Sequence, residues 1–145
     1  SAASDVYKRQ ASEIVNARQF LEISVMEKYL LSITEQEIAQ LEELYAKMEA
    51  ARSNYALFWE YDTKFHLQLI GCSKNSILTL FLSTLYRMTQ KNIIMNSEDP
   101  VSAIEFSQSD HADIIEAVKT KDRERLCRAI ERHLSPLHDF YKEEV

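Results

Sequence analysis

Residues 54–71 read NYALFWEYDTKFHLQLIG, and the spacing inside this stretch decides the fold. Phe58, Asp62, Phe65 and His66 follow one another at intervals of four, three and one, so they stack on one face of a helix. Asn54 is a residue type that caps a helix start. Gly71, the only glycine in the chain, is a natural place for the helix to stop.

Reading outward, the same period recurs on both sides. Thr34-Glu35-Gln36-Glu37 has the form of a capping box, followed by Ile38, Leu41, Leu44, Tyr45 and Met48 at helical spacing. Before it, a first helix is expected from about Ser12 to Leu31, with Ile14, Leu21 and Val25 on one stripe. After Asn75 a helix runs to about Met95; its opening ILTLFLSTLY is apolar nearly all round, so it is expected to be the most buried. Asp99-Pro100 pairs a cap with proline at the first helical position and starts a fifth helix, with a break expected near Ser107 and an end near Thr120. Asp122 opens the last helix, whose inward side carries Leu126, Ile130, Leu134 and Leu137, with a kink expected at Pro136.

One glycine and two prolines in 145 residues leave little material for strands and tight turns. The fold class is therefore all-α: an antiparallel helical bundle of about six to seven helices, joined by short connections. A formal net charge of -6 repels phosphate backbones and argues against direct nucleic-acid binding by these residues. Cys72 and Cys127 lie far apart without a CxxC pair and read as small reduced hydrophobes of a cytoplasmic protein. The longest nearly apolar run, Ile77 to Tyr86, is too short to cross a bilayer, and no signal peptide is visible. Residues 1–10, which include the DVYKRQ segment, read as a linker or as a cloning scar, leaving 11–145 as the domain.

The polar residues on the inward stripes carry the chemistry. Asp62 and His66 interrupt the third helix, His111 lies one turn from Ile114 and Ile115 on the fifth, and His133 stands between Ile130 and Leu137 on the sixth. His138 falls off that stripe and is expected to face solvent. Buried carboxylates and imidazoles need one another, other hydrogen bonds, or a cation. Three neutral imidazoles and a carboxylate suit a divalent transition metal: zinc first, with nickel or manganese as alternatives. The competing reading is a set of ordinary core histidines satisfied by hydrogen bonds, with no metal.

The run Asp62-Thr63-Lys64-Phe65-His66 resembles the D-x-x-F-H element of the ligand-binding FCD domain of GntR-type transcription regulators of the FadR subfamily. Arg18-Gln19-Phe20-Leu21-Glu22 is similar to that domain's opening helix, Thr34 to Ile38 to its second-helix start, and Ser73-Lys74-Asn75 to its S-x-N turn. His111 to Val118, Asp122 and His133-Leu134 resemble its remaining elements in order, so the likeness covers about residues 11 to 140. The resemblance implies a homodimeric helical bundle whose core cavity often holds a divalent metal on one aspartate and three histidines. The matching residues here are Asp62, His66, His111 and His133. It also implies that DNA is read by a separate winged helix-turn-helix placed N-terminal to this domain, since only the short stretch before Ser12 precedes the first helix here.

Four protein ligands leave room on a five- or six-coordinate metal for a small organic acid. Arg18, between Ile14 and Leu21, either faces that cavity as a carboxylate clamp or forms a surface pair with Glu22 at i+4, its stem lying along the helix. Asn75, Thr79, Ser83 and Arg87 form a polar row spaced by four; it either lines the cavity, with Asn75 and Arg87 touching the ligand, or is the helix's solvated face. The function expected is effector sensing in a transcription regulator, not catalysis. The Glu-x-x-His pairs of di-iron bundles and an HExxH motif are missing, and no glutamate stands near the ligand pattern to serve as a base. A metal-free interaction module is the alternative, and a bundle metalloenzyme the more distant one.

Overall fold

The structure is a computed structural model, and it describes the backbone of residues 1–95 and 98–143. Side chains at 4, 7, 8, 11, 89–95 and 136–143 lie outside the description, and with them the expectations for Leu137 and His138. The elements are α1 (Ala2–Tyr29), a 3-10 turn (Leu30–Ser32), α2 (Glu35–Ala50), α3 (Tyr55–Gly71), α4 (Ser76–Met95), α5 (Pro100–Thr120) and α6 (Arg123–Glu143), with no strand among the described residues. α1 packs on α6 and α4, α6 on α5, α5 on α2, α2 on α3, and α3 on α4. The six helices thus close a ring, and whatever points inward from any of them meets in one core.

Local chemistry sets the ends. Thr34 Oγ1 accepts from Glu37 N at 3.2 Å while Glu37 Oε1 accepts from Thr34 N at 3.4 Å, completing the capping box. Asn54 Oδ1 accepts from Leu57 N, Asp99 Oδ1 from Ser102 N ahead of Pro100, and Asp122 Oδ1 from Arg125 N. Lys121 closes α5 in the left-handed conformation, and its Nζ donates to the Leu30 and Ile33 carbonyls beyond α1.

Several expectations are corrected. α1 begins at Ala2, not Ser12, because residues 2–10 contain neither glycine nor proline and are rich in helix formers such as Ala, Lys, Arg and Gln. α5 runs through Ser107 without a break. Gly71 is the last residue of α3 but has no positive φ; the left-handed turn falls on Lys74 instead, at φ 57°. α4 is not the most buried helix. Ile77, Leu80, Phe81 and Met88 are each more than half exposed. A helix seated in a ring between α1 and α3 covers only part of its circumference, so apolar residues on its outer face stay uncovered within one chain.

The buried stripe of α1 is Val15, Arg18, Glu22, Val25 and Met26, with Leu21 only half-buried. Two charged residues therefore occupy core positions on α1. Around them, Phe58, Phe65, Leu69, Leu82, Ile114, Leu126 and Ile130 are fully buried and fill the ring.

Candidate metal centre

Asp62 and His66 come from α3, His111 from α5 and His133 from α6. The i, i+4 spacing on α3 projects its pair in one direction, and the ring brings the other two helices to meet it. One ligand atom from each residue lies within 4.8 Å of all the others. His66 Nε2 is 3.2 Å from His111 Nε2 and 3.1 Å from His133 Nε2. Asp62 Oδ1 stands 2.9 Å from His111 Nε2, 3.4 Å from His66 Nε2 and 3.9 Å from His133 Nε2. All four sequence-predicted ligands thus converge.

The far side of each imidazole is held by an acceptor. His66 Nδ1 lies 2.5 Å from Glu22 Oε1. His111 Nδ1 lies 2.9 Å from Gln108 Oε1, and that amide's orientation is set because its Nε2 donates to Glu49 Oε1 at 2.7 Å. His133 Nδ1 lies 3.4 Å from Asp110 Oδ2, whose other oxygen takes Arg132 Nε at 2.7 Å. With acceptors behind them, the rings carry their hydrogens on Nδ1 and turn the Nε2 lone pairs toward the centre. Three lone pairs facing one another at hydrogen-bond distance repel unless a cation stands among them.

A divalent metal fits this set. Ligand atoms bonded to zinc at about 2.0–2.1 Å stand about 3.3 Å apart at tetrahedral angles and about 2.9 Å apart at right angles. The three closest nitrogen and oxygen separations around His66 and His111 span that same range. Asp62 Oδ1 is buried, and among the described residues no donor is aligned to it, although imidazole nitrogens crowd around it. An oriented, unsatisfied carboxylate oxygen is what a metal ligand presents before its metal.

The electrostatics agree. Burial would raise the Asp62 carboxyl, but His66 and His111 hold it well below the usual range, so it stays ionised. Burial drives His111 down to about 4, against the pull of Asp62, and it lowers His133 as well; both are neutral donors near pH 7. Burial works in the same direction on His66, but Glu22 and Asp62 override it and raise its pKa. The negative field that favours a proton on His66 favours a dication in the same place.

Arg18 combines the inward placement of one expectation with the Glu22 pairing of the other. It is buried and faces inward, yet its Nε donates to Glu22 Oε2 at 2.8 Å. Its guanidinium also donates to the Tyr86 hydroxyl and lies over that ring, 4.0 Å from the centroid. Burial would raise Glu22, but Arg18 and His66 bring it down to about 2. Burial holds Tyr86 as a neutral phenol, well above its ordinary pKa. Contrary to the expectation that no glutamate stands near the ligands, Glu22 touches one of them. Asn75 and Arg87 are not brought to this centre. Asn75 is exposed, and its Oδ1 caps α4 by accepting from Ile77 N and Leu78 N; Arg87 is exposed on the outside of that helix. A surface groove between α2 and α3, lined by Glu37, Gln40, Lys64 and Gln68 among others, contains none of the four ligands.

Six helices closed on an interior cluster of one aspartate and three histidines define an all-α bundle domain whose chemistry lies in its core. A family model of the FCD domain matches residues 13–136, and the chain belongs to that family, the regulatory domain of GntR-type transcription regulators. Its fold is similar to that of E. coli McbR/YncC, with a TM-score of 0.80 over 94% of this chain and 70% of that one, at 20% sequence identity. No curated protein matches this chain. None of its helices is long and apolar enough to cross a membrane, among the described residues.

Proposed function

We propose that this chain is the effector-sensing and dimerisation domain of a GntR regulator of the FadR subfamily, working in the cytoplasm. On this reading it holds one divalent transition metal, zinc in the first instance, on Asp62, His66, His111 and His133. A small carboxylate joins the metal and Arg18, and its occupancy is passed to a separate winged helix-turn-helix domain. The observation that carries this is the convergence of three Nε2 atoms on Asp62 Oδ1 with an acceptor behind every ring. Held by these four residues, the metal would supply Lewis acidity toward a carboxylate oxygen.

The residues of the chain account for the rest. Arg18 presents a planar guanidinium whose charge is already matched by Glu22, so an added carboxylate meets a site of fixed geometry. Tyr86 fixes the guanidinium from α4, and α1 carries it. A ligand held on Arg18 and on the core ligands therefore links α1 to α3, α5 and α6, and favours whichever arrangement of those helices fits it better. A regulatory role is favoured over catalysis because Glu22, which touches a ligand, is bound on both oxygens and is held down to about 2 by Arg18 and His66. A general base works best with a pKa near the working pH.

A panel of small carboxylates tests this in thermal melts of the metal-loaded protein. A cognate acid at about a hundred times its dissociation constant is expected to add about 2.7 kcal/mol, or roughly 5–10 °C of melting temperature. Arg18→Met is expected to abolish that shift, whatever it does to the baseline. No hit across monocarboxylates, dicarboxylates, hydroxy acids and sugar acids refutes the effector reading.

Dimerisation is supported by the outer face of α4, where Ile77, Leu80, Phe81 and Met88 lie at helical spacing and are each more than half exposed. A two-fold pair of such faces buries apolar stripe against apolar stripe. Phe81→Glu is expected to convert the dimer to monomer in sedimentation velocity. A wild-type monomer at all concentrations refutes it.

A further inference from the structure

We infer that Glu22 is the positioning residue of the metal centre, and that it joins the effector-reading arginine to a metal ligand. α1 supplies none of the four ligands, yet Glu22 reaches the centre from it. The carboxylate is fully buried, with Oε1 at 2.5 Å from His66 Nδ1 and Oε2 at 2.8 Å from Arg18 Nε. One oxygen thus orients His66, and the other is bound to the guanidinium proposed to meet the carboxylate ligand. His66 is the centre's hub: its Nε2 lies 3.1–3.4 Å from His133, His111 and Asp62. Rotating this one ring moves it relative to all three of the other ligands.

The carboxylate of Glu22 does two things at once. It accepts the Nδ1 hydrogen and so leaves Nε2 as the lone-pair nitrogen, as carboxylate partners of metal-bound histidines do. It also ties the position of α1 to the metal, since any displacement of Arg18 is felt at Oε2 and passed to His66 through Oε1. Binding at the metal and at Arg18 are then coupled through one side chain, and such coupling is reciprocal.

This inference rests on the metal reading, and its test separates the two. Zinc alone is titrated into the apo protein against a chromophoric chelator. Wild type is expected to bind one equivalent, Glu22→Ala to bind about 10–100-fold more weakly, and Glu22→Gln, which keeps an acceptor oxygen, to retain most of the affinity. Arg18→Met with Glu22→Ala removes both buried charges and is expected to show the same weakening, so a poorly folded single variant does not void the measurement. In the zinc-loaded protein a downfield imidazole N–H resonance is expected in wild type and in Glu22→Gln, and lost in Glu22→Ala. Stoichiometric zinc in wild type with unchanged affinity in Glu22→Ala and in the double variant overturns the role of Glu22 alone. Equal weakening in Glu22→Gln and Glu22→Ala also overturns it, because charge and not orientation is then what His66 needs. Wild type that takes up no zinc overturns this inference together with the metal reading.

Discussion

Protein stripped of divalent metal by a chelator and then resupplied with zinc is expected to melt about 8–16 °C higher than the stripped form. The size follows from linkage: a metal present at about a thousand times its dissociation constant adds about 4 kcal/mol to the folded state, provided that the unfolded chain does not bind it. A domain of this size gains about 2–4 °C for each kcal/mol. The physical source is local. The Nε2 atoms of His111 and His133 lie 3.1–3.2 Å from that of His66, and the ionised Asp62 Oδ1 has no aligned donor among the described residues. A dication offsets the mutual repulsion and lost solvation of these groups. His66→Ala deletes the ligand whose Nε2 lies within 3.4 Å of the other three and is expected to melt at the same temperature with or without zinc. It is this response, not the baseline, that counts, because the truncation also leaves a cavity and removes a partner from Glu22. Elemental analysis of the purified protein accompanies the melts. A stripped protein that melts where the loaded one does, or a His66→Ala variant that still responds to zinc, removes the metal from the account.

How the site was legible in sequence follows from where polarity is conspicuous. Asp62, His66, His111 and His133 interrupt apolar stripes, so helical spacing alone points them inward, and the ring of helices brings them together. The residues behind them were not legible for the opposite reason. Glu22, Gln108 and Asp110 are ordinary helix-surface residue types, and they lie next to the apolar stripes rather than within them. Only the rotation of α1, which buries Arg18 and Glu22 and leaves Leu21 half-buried, reveals that its inward stripe runs through the charges. The signal available was the pair itself. An arginine and a glutamate at i, i+4, in register with Val15, Val25 and Met26, admit a buried ion pair as readily as a surface one. Asn75 was misplaced because a polar row spaced by four looks the same whether it faces a cavity or solvent. Its amide oxygen caps α4. The outer face of α4 misled in a further way, since an all-round apolar helix signals burial but does not say whether a neighbouring helix or a second chain does the burying.

The buried ion pair on α1 yields the second large effect. Arg18→Met, measured with chelator present in all samples so that metal plays no part, is expected to cost about 3–5 kcal/mol and roughly 6–20 °C. Methionine matches the arginine stem in length and apolar character, so little packing is lost. What is lost is the charge that holds Glu22 at a pKa of about 2 inside a fully buried site. His66 remains as a partner for Oε1, but Oε2 is left without its guanidinium. Replacing both residues, Arg18→Met with Glu22→Leu, removes both desolvated charges together and is expected to cost less than Arg18→Met alone, since an apolar pair of similar volume often matches or exceeds a buried ion pair in stability. The double variant would then be a folded domain that has given up its joint between α1 and His66. If instead the two substitutions cost the sum of their separate effects, Arg18 and Glu22 stabilise the bundle independently. The ion pair is then not what retains two charged side chains in this core.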